Sequence, residues 1–159
     1  MIKTGLGQDS HRFVEQGSNK PLMLGGVRIP GERGLEGNSD ADVVLHAITN
    51  AVSGISGVNI LGSVSDALCF DKGIVDSSCY LSKALETLED YGLVHLSISI
   101  EAQTPRLAPH IEAIRESVAR VCTLTLRDVG VTATSGEGLT SCGRGEGIAV
   151  MAIATAERV

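Results

Sequence analysis

The stretch from Asp42 to Ile55 constrains the fold more than any other part of the chain. Its apolar residues recur three and four positions apart, the spacing of one buried face of an α-helix. Ser39 or Asp40 is a suitable N-cap for this helix. The stripe consists of Val44, Ala47, Ile48, Ala51, Val52 and Ile55. A helix with one apolar stripe must pack against another layer, so the chain needs an apolar sheet or helix to cover it.

Several stretches around this helix have the pattern of β-strands. Residues 2–13 mix β-branched and polar side chains, and "VHLSISIEAQ" alternates between the two types at every position. "VGVTATS" and "GIAVMAIAT" predict two further strands. "PLMLGGVRIP" predicts two short strands joined at Gly25 and Gly26, a pair that permits a turn with positive φ.

Two more helices are predicted, together with one long loop. The first runs from about Asp76 to Tyr91 and stops at Gly92, and the second follows Pro109, a residue suited to a first helical turn. The stripe of the second is Ile111, Ile114, Val118 and Val121. Residues 58–73, "VNILGSVSDALCFDKG", lack a period and are rich in turn residues, which favours a loop that acts as a lid.

The order of these elements predicts the fold class. Strands, helix, helix, strand, helix, strand and strand form an α/β (α+β) unit, a mixed open sheet with its helices packed on one face. At 159 residues the chain is expected to form a single domain, residues 1–159. Aromatic residues are only 3% of the chain, so small aliphatic side chains must form the core. Such cores are sometimes completed by a partner subunit, which favours an oligomer.

Charge and composition exclude some partners. The formal net charge is −6 and the basic residues are scattered, so nucleic acid is not an expected partner. The start "MIKTGLGQDS" lacks the pattern of a signal peptide, and the run "IAVMAIA" is too short to span a bilayer. We therefore expect a cytoplasmic protein without a membrane partner. The four cysteines lack metal-binding spacing and are expected to be reduced thiols.

Three residues are candidate metal ligands. Asp9 and His11 are two positions apart, so on a strand their side chains project from the same face. His46 lies opposite the apolar stripe of its helix. Exposed polar surface is the alternative explanation of each position taken alone. Together the three residues offer two nitrogens and one oxygen with an open fourth position, the pattern of a catalytic zinc. Asp42 is then a candidate for orienting an imidazole.

A second constellation lies in "TATSGEGLTSCGRGEG". Glycines let backbone amides approach a phosphate, and the hydroxyls of Thr134 and Ser135 can donate hydrogen bonds to it. The carboxylate of Glu137 can hold a hard divalent cation against the same phosphate. A simple glycine-rich bend between two strands is an equally good interpretation of this segment taken alone.

Four motifs together resemble a known family. "GLGQDSHRF", "NSDADVVLHAITNA", "EAQTPRLAPHI" and "GRGEGIAV" are similar, in order and spacing, to motifs of the 2-C-methyl-D-erythritol 2,4-cyclodiphosphate synthase family of the non-mevalonate isoprenoid pathway. The resemblance implies a homotrimer with three active sites between neighbouring chains. It also implies that the 2-phosphate of 4-diphosphocytidyl-2-C-methyl-D-erythritol 2-phosphate attacks the β-phosphorus and expels CMP.

The resemblance also assigns site residues. Asp9, His11 and His46 match the family's zinc ligands. Thr134 and Ser135 match hydroxyls against the phosphates, and Glu137 matches the holder of a second divalent cation, magnesium or manganese. Arg144 matches an arginine near the trimer axis. The cytidine loop corresponds to Ala102, Gln103, Thr104, Pro105, Arg106 and Ala108, and the remaining substrate-binding candidates are Asn38, Ser39, Asn59 and Asp66.

The chain also departs from the family. Asn38 replaces a usual histidine, Asn50 and Asn59 replace usual aspartates, and "SVSDALCFD" stands in place of the Phe-Pro-Asp-Thr-Asp lid. Asparagine keeps hydrogen-bonding capacity but loses charge. Two alternatives therefore stand beside the synthase: a divergent metal-dependent enzyme acting on another cytidine diphosphate ester, and a non-catalytic trimeric binding protein.

Overall fold

A computed structural model describes all 159 residues. The strands are β1 (Ile2–Arg12), β2 (Leu22–Leu24), β3 (Val27–Ile29), β4 (Tyr91–Glu101), β5 (Val129–Thr134) and β6 (Gly147–Arg158). The helices are α1 (Val43–Ser56), α2 (Ser63–Lys72), α3 (Ser77–Glu86) and α4 (Ile111–Val121). None of the helices is both long and apolar enough to cross a membrane.

The four long strands form one mixed sheet in the order β1-β6-β4-β5. β1 and β4 run antiparallel to β6, whereas β5 runs parallel to β4. Helix α1 packs on one face, over β1 and β6, and a single apolar core of 34 buried residues lies between the layers. The predicted α+β fold with a mixed open sheet is confirmed. β2 and β3 form a separate hairpin whose turn residues Gly25 and Gly26 both have positive φ, as expected.

The opposite face of the sheet is exposed in the single chain. Leu6 on β1 lies directly opposite Ile153 on β6, and Met151 is the next residue of β6 on the same face. These three side chains are 66%, 44% and 54% exposed. An apolar strip of this kind on an otherwise well-packed domain marks an interaction surface.

Two glycines let α1 approach β1 closely. A Cβ on Gly5 would lie 2.0 Å from the carbonyl oxygen of Ala51, and a Cβ on Gly7 would lie 1.9 Å from the carbonyl oxygen of Ala47. Since these neighbours are helix backbone, no side-chain rotation could make room. The approach matters for the site because it brings α1 against the end of β1 that carries Asp9 and His11.

Helix α1 begins as predicted but with a different cap. The N-cap is Asp42, whose side chain accepts from the backbone N–H of Leu45, rather than Ser39 or Asp40. The polar side of the helix is also buried, as His46, Thr49 and Ser53 show. Helix α3 packs against α1, so the polar side of α1 is interior as well. Sequence periodicity could not reveal this second covering layer.

The prediction of a loop over residues 58–73 is wrong, because residues 63–72 form helix α2. Its ends are set by local signals: the Ser65 hydroxyl accepts from the backbone N–H of Gly62, and Gly73 adopts the left-handed conformation that ends a helix. Only Ser65 of this helix is buried, which explains the missing apolar stripe. α2 lies on the surface instead of packing into the core.

The two remaining helices agree with the sequence except at one end. α3 begins next to Asp76 as predicted, with Asp76 as its N-cap, but it ends at Glu86 rather than near Tyr91. The chain then turns through Glu89, which has a φ of 53°, and Gly92 already belongs to β4. α4 follows Pro109 as predicted and buries Ile114 and Val118.

Candidate metal centre and adjoining pockets

The side chains of Asp9, His11 and His46 converge on one point. The distance from Asp9 Oδ2 is 2.8 Å to His11 Nε2 and 3.1 Å to His46 Nδ1, and the two ring nitrogens are 3.3 Å apart. β1 supplies the first two side chains from one face, and α1 supplies the third. The sequence prediction that these residues lie together is confirmed.

This donor set fits a zinc ion. Tetrahedral zinc binds oxygen and nitrogen at about 2.0–2.1 Å, which places neighbouring ligand atoms about 3.3 Å apart. The three distances of 2.8, 3.1 and 3.3 Å come close to that spacing. Two imidazoles and one carboxylate leave a fourth position open for a substrate oxygen, and the centre opens into a pocket.

The second ring nitrogen of each histidine is also held. His11 Nδ1 lies 2.7 Å from the carbonyl oxygen of Glu36, to which it can only donate. His46 Nε2 lies 2.8 Å from the hydroxyl oxygen of Ser77, whose proton is directed at Asp40. These contacts leave His11 Nε2 and His46 Nδ1, the two atoms that face Asp9, free to bind a metal ion. In the metal-free protein the same two atoms can donate to the Asp9 carboxylate.

The expectation that Asp42 orients an imidazole is wrong. Its carboxylate is fully buried and accepts from the backbone N–H groups of Gly25, Gly26 and Leu45 at 2.7 to 3.0 Å. Asp42 therefore joins the β2–β3 turn to the start of α1. The side chain that contacts the outer nitrogen of His46 is that of Ser77, which the sequence did not predict.

The charges of the cluster shift the pKa values of its members. The hydrogen bond with the Asp9 carboxylate raises the pKa of His11 above its usual value, although burial opposes this. Burial alone would raise the pKa of Asp9, but the hydrogen bonds from both histidines outweigh it and hold the pKa below its usual value. The raised pKa of His11 and the lowered pKa of Asp9 both reflect an ionised Asp9 carboxylate that attracts positive charge.

Zinc affinity is expected to fall as the pH decreases, and the fall should already begin above pH 6.5. Zinc must displace a proton from His11, whose pKa is raised above the usual value of about 6.5. In the metal-free protein, protonation of His11 increases the free energy of unfolding through the hydrogen bond with Asp9. This contribution of His11 is fully present below about pH 6.5 and is lost as the pH rises through its raised pKa. The contribution of Asp9 is present above about pH 3.9 and is lost only as the pH falls through its lowered pKa.

The measurement is the zinc dissociation constant and the melting temperature, with and without zinc, from pH 5 to 8. His95→Gln, which alters an exposed histidine on β4, is the matched control and should keep the wild-type profile. Equal zinc affinity at pH 5.5 and 8 would contradict the assignment of His11.

The metal centre forms one wall of a cavity of about 270 Å³. The segment before α1 and helix α2 form the other walls, so the segment predicted to be a lid does border the site. Of the predicted substrate-binding residues, Asn38, Ser39 and Asp66 line this cavity, whereas Asn59 is exposed and does not. The lining residues that sequence analysis missed are Gly37, Leu61, Gly62, Ser65, Cys69 and Tyr80. Most of these follow from the position of α2, which carries no periodic signal.

A second cavity, of about 370 Å³, lies beside β5, at the opposite edge of the sheet from β1. It is lined by the predicted cytidine loop together with the end of β5 and the start of α4. Thr104, the only predicted loop residue outside the lining, precedes a cis peptide bond to Pro105. The predicted residues that line the cavity are Ala102, Gln103, Pro105, Arg106, Ala108, Thr134 and Ser135.

The glycine-rich segment after β5 forms a tight turn beside the second cavity. Glu137 has a φ of 51°, and its backbone N–H lies 3.3 Å from the Ser135 hydroxyl oxygen. The Ser135 hydroxyl also lies 3.3 Å from the Glu137 carboxylate. Both side chains are exposed. Arg144 is exposed further along the segment, with its guanidinium 3.7 Å from the Glu146 carboxylate.

The two cavities share no lining residue. One row of paired residues crosses the sheet from β1, which carries Asp9 and His11, to the second cavity. The row consists of Ser10, Ala149, Glu101 and Thr134. Three strand spacings of about 4.8 Å place the two ends of this row about 14 Å apart. In one chain the metal centre and the hydroxyls of Thr134 and Ser135 are therefore too far apart to act on one phosphate group.

An α+β domain in which two histidines and one carboxylate converge beside a pocket has the donor set expected of proteins that bind a divalent metal next to a substrate. The family model described as the YgbB family matches residues 2–157 of the chain. This protein belongs to that family.

Similar proteins carry a consistent name. A 2-C-methyl-D-erythritol 2,4-cyclodiphosphate synthase of Chlamydia muridarum is 46% identical over 98% of this chain and 88% of its own length. The solved structure of the bifunctional IspDF from Campylobacter jejuni has a TM-score of 0.89 and 31% identity, covering all of this chain, which spans 43% of that longer one. A synthase of the same name solved in a form with bound CDP has a TM-score of 0.77 and 27% identity, covering 98% of this chain and 100% of that one.

Proposed function

We propose that this protein converts 4-diphosphocytidyl-2-C-methyl-D-erythritol 2-phosphate to 2-C-methyl-D-erythritol 2,4-cyclodiphosphate with release of CMP. The observation that carries the proposal is the convergence of Asp9, His11 and His46 in a chain of this family. An oxygen of the 2-phosphate forms a bond to the β-phosphorus. The bond from that phosphorus to the CMP oxygen breaks, and CMP leaves with the electron pair.

The metal-binding part of the proposal assigns zinc to Asp9, His11 and His46. Zinc held there would supply Lewis-acid polarisation of a phosphate oxygen. The Asp9 carboxylate would offset one of the two positive charges of zinc and leave the centre able to attract a phosphate oxygen. Glu137 is the proposed holder of a second divalent cation, magnesium or manganese. The exposed hydroxyls of Thr134 and Ser135 would donate to phosphate oxygens on which charge accumulates.

The second cavity is the proposed site for the cytidine. Its wall is largely apolar, and the loop from Ala102 to Arg106 offers backbone groups that can recognise a base edge. The similar synthase solved with CDP supports a site for this ligand in the fold. The first cavity, lined by Asn38, Ser39 and Asp66, is then left for the methylerythritol phosphate.

A homotrimer with sites between neighbouring chains is part of this proposal. The separation of about 14 Å across the sheet means that a second chain must bring its own Ser135 to the metal centre of the first. The exposed side chains of Leu6, Met151 and Ile153 give neighbouring sheets an apolar surface to bury. Arg144 would then lie near the trimer axis.

Light scattering at micromolar concentration should give a mass close to three times 16.5 kDa. Ile153→Glu, which places a charge on the exposed strip, should weaken the assembly and turnover in parallel. Phe70→Glu, on the exposed surface of α2, is the matched control and should leave the mass unchanged. A wild-type protein that is only monomeric would contradict both the trimer and the shared site.

Asn38 lines the metal pocket where the family usually has histidine. Asn38→His is expected to change kcat/KM by roughly fivefold to thirtyfold without creating activity from nothing, because one neutral or charge-assisted hydrogen bond is altered. Asn59→Asp, at an exposed position outside the pocket, is the comparison. An inert wild type that became active only with both changes would mean that this chain is not the synthase.

The function itself is tested by incubating the protein, zinc and magnesium with the family substrate and following the products by phosphorus NMR. The synthase produces the cyclic diphosphate and CMP. A divergent enzyme on another cytidine diphosphate ester would leave this substrate intact yet cleave a related ester, and a binding protein would alter neither. Retention of all three metal ligands together with Ser135 and Glu137 favours the enzyme over the binding protein.

Residues 1–159 would act as one cyclodiphosphate-synthase-like domain, since a single core joins its elements. We also place the protein in the cytoplasm, where its four free cysteines would stay reduced.

A further inference from the structure

A hydrogen-bonded chain links Asp40, Ser77 and His46 behind the candidate metal centre. Ser77 Oγ lies 2.8 Å from His46 Nε2 and makes a short hydrogen bond to Asp40 Oδ1. We propose that Ser77, held by Asp40, is a positioning residue that sets the tautomer and orientation of His46 for zinc. This inference rests on the zinc site of the proposed function.

The direction of each hydrogen bond follows from the donors available. A hydroxyl carries one proton, and an ionised carboxylate can only accept, so the Ser77 proton goes to Asp40. The Ser77 oxygen must then accept from His46, which places the imidazole proton on Nε2. The neutral imidazole can then bind a metal ion through Nδ1, the atom that lies 3.1 Å from Asp9 Oδ2.

Asp40 is itself fixed by backbone donors. Its Oδ1 accepts from the N–H of Asp42 at 3.0 Å, and its Oδ2 accepts from the N–H of Ser77 at 3.1 Å. The backbone N–H of Asp40 in turn donates to the carbonyl oxygen of Val75 at 2.9 Å. The carboxylate therefore has little freedom to turn away from the hydroxyl.

The hydrogen bond between Ser77 and His46 is buried. Ser77 is fully buried and His46 is 7% exposed, so water does not compete for the hydrogen bond between them. Without the hydroxyl, a buried imidazole N–H would lose its partner, and the tautomer with the proton on Nδ1 would become more populated. That tautomer cannot bind zinc through the nitrogen facing Asp9.

The two histidines differ in a way that makes the inference testable. The outer nitrogen of His11 donates to a backbone carbonyl, which no substitution removes. The outer nitrogen of His46 depends on a side chain. A substitution of Ser77 thus removes outer support from one ligand and leaves the other intact.

The first experiment measures the zinc dissociation constant by chelator competition. Ser77→Ala should weaken zinc binding by roughly tenfold to a hundredfold, the usual effect of removing such a partner. Ser77→Thr, which keeps the hydroxyl, should recover most of the affinity. Ser82→Ala, at an exposed serine of the same helix, is the matched control and should bind zinc as the wild type does.

A second variant addresses the case in which Ser77→Ala or Ser77→Thr folds poorly. Asp40→Asn keeps the size of the side chain and removes its charge, so it should weaken zinc binding by a smaller factor. If Asp40 affects His46 only through Ser77, the double variant Asp40→Asn, Ser77→Ala should bind zinc no more weakly than Ser77→Ala alone. Full additivity of the two losses would overturn the proposal.

Nitrogen-15 NMR of the histidine rings gives a readout independent of activity. In the zinc-loaded wild type, His46 should carry its proton on Nε2, and in Ser77→Ala at the same zinc concentration part of the His46 population should carry it on Nδ1. Unchanged zinc affinity and an unchanged His46 tautomer in Ser77→Ala would overturn the inference. Wild-type protein that binds no zinc would instead reject the metal site of the proposed function.

Discussion

Replacing His46 with alanine is expected to abolish stable zinc binding and turnover together. The substitution removes one of three converging ligands and leaves Asp9 and His11, two ligands that are also partly exposed. A metal ion that stabilises charge on a phosphate contributes several kcal/mol to the transition state, and each 1.4 kcal/mol corresponds to about tenfold in rate. We therefore expect a loss of roughly a thousandfold or more in kcat/KM.

The measurements are zinc content by mass spectrometry and turnover by phosphorus NMR on the same preparation. His110→Ala removes a histidine outside the cluster and is the control; it should keep both zinc and activity. The circular dichroism of His46→Ala should stay close to that of the wild type, which separates loss of metal from loss of fold. A His46→Ala protein with full zinc content and normal turnover would show that the cluster is not the metal site.

Replacing Gly7 with alanine is expected to prevent the native fold or to destabilise it severely. The new Cβ would lie 1.9 Å from the carbonyl oxygen of Ala47 and 2.3 Å from the backbone nitrogen of Ala51. Both atoms belong to helix α1, so the whole helix would have to move away from the sheet. Overpacking a core usually costs about 1–3 kcal/mol, and a rigid backbone neighbour places this case at or above the upper end.

Gly54→Ala is a matched control within the same contact. Its Cβ would come no closer than 3.5 Å to the Cα of Gly5, an ordinary contact distance, and alanine favours a helix by about 1 kcal/mol over glycine. Urea denaturation should therefore show Gly54→Ala at or above wild-type stability and Gly7→Ala far below it. Equal stability of the two variants would mean that α1 does not pack on β1 as closely as described.

Local patterns in the sequence predicted much of this fold. The stripe of α1, the alternation in β4 and the Gly25-Gly26 turn each carry a signal within a few neighbouring residues, and each forms as predicted. Helix α2 was missed because it buries only Ser65. A helix that lies on the surface as the wall of a pocket needs no apolar stripe, and a stripe is the signal on which sequence prediction depends.

The convergence of Asp9, His11 and His46 could also be predicted, because strand and helix periodicities show on which side of each element these residues lie. Their outer partners could not. Asp42 was the nearest carboxylate in helical phase, yet its oxygens are taken by backbone N–H groups of the β2–β3 turn. Ser77 reaches His46 from 31 residues away.

The sequence by itself therefore determined most of the elements, the three residues of the candidate metal centre and the family. The tertiary structure decided which polar groups satisfy one another, how α2 borders the pocket, and how far apart the two cavities lie. The physical reason is range. Periodicity and capping act over a few residues, whereas the partner of a buried polar group depends on which distant segments packing brings within about 3 Å.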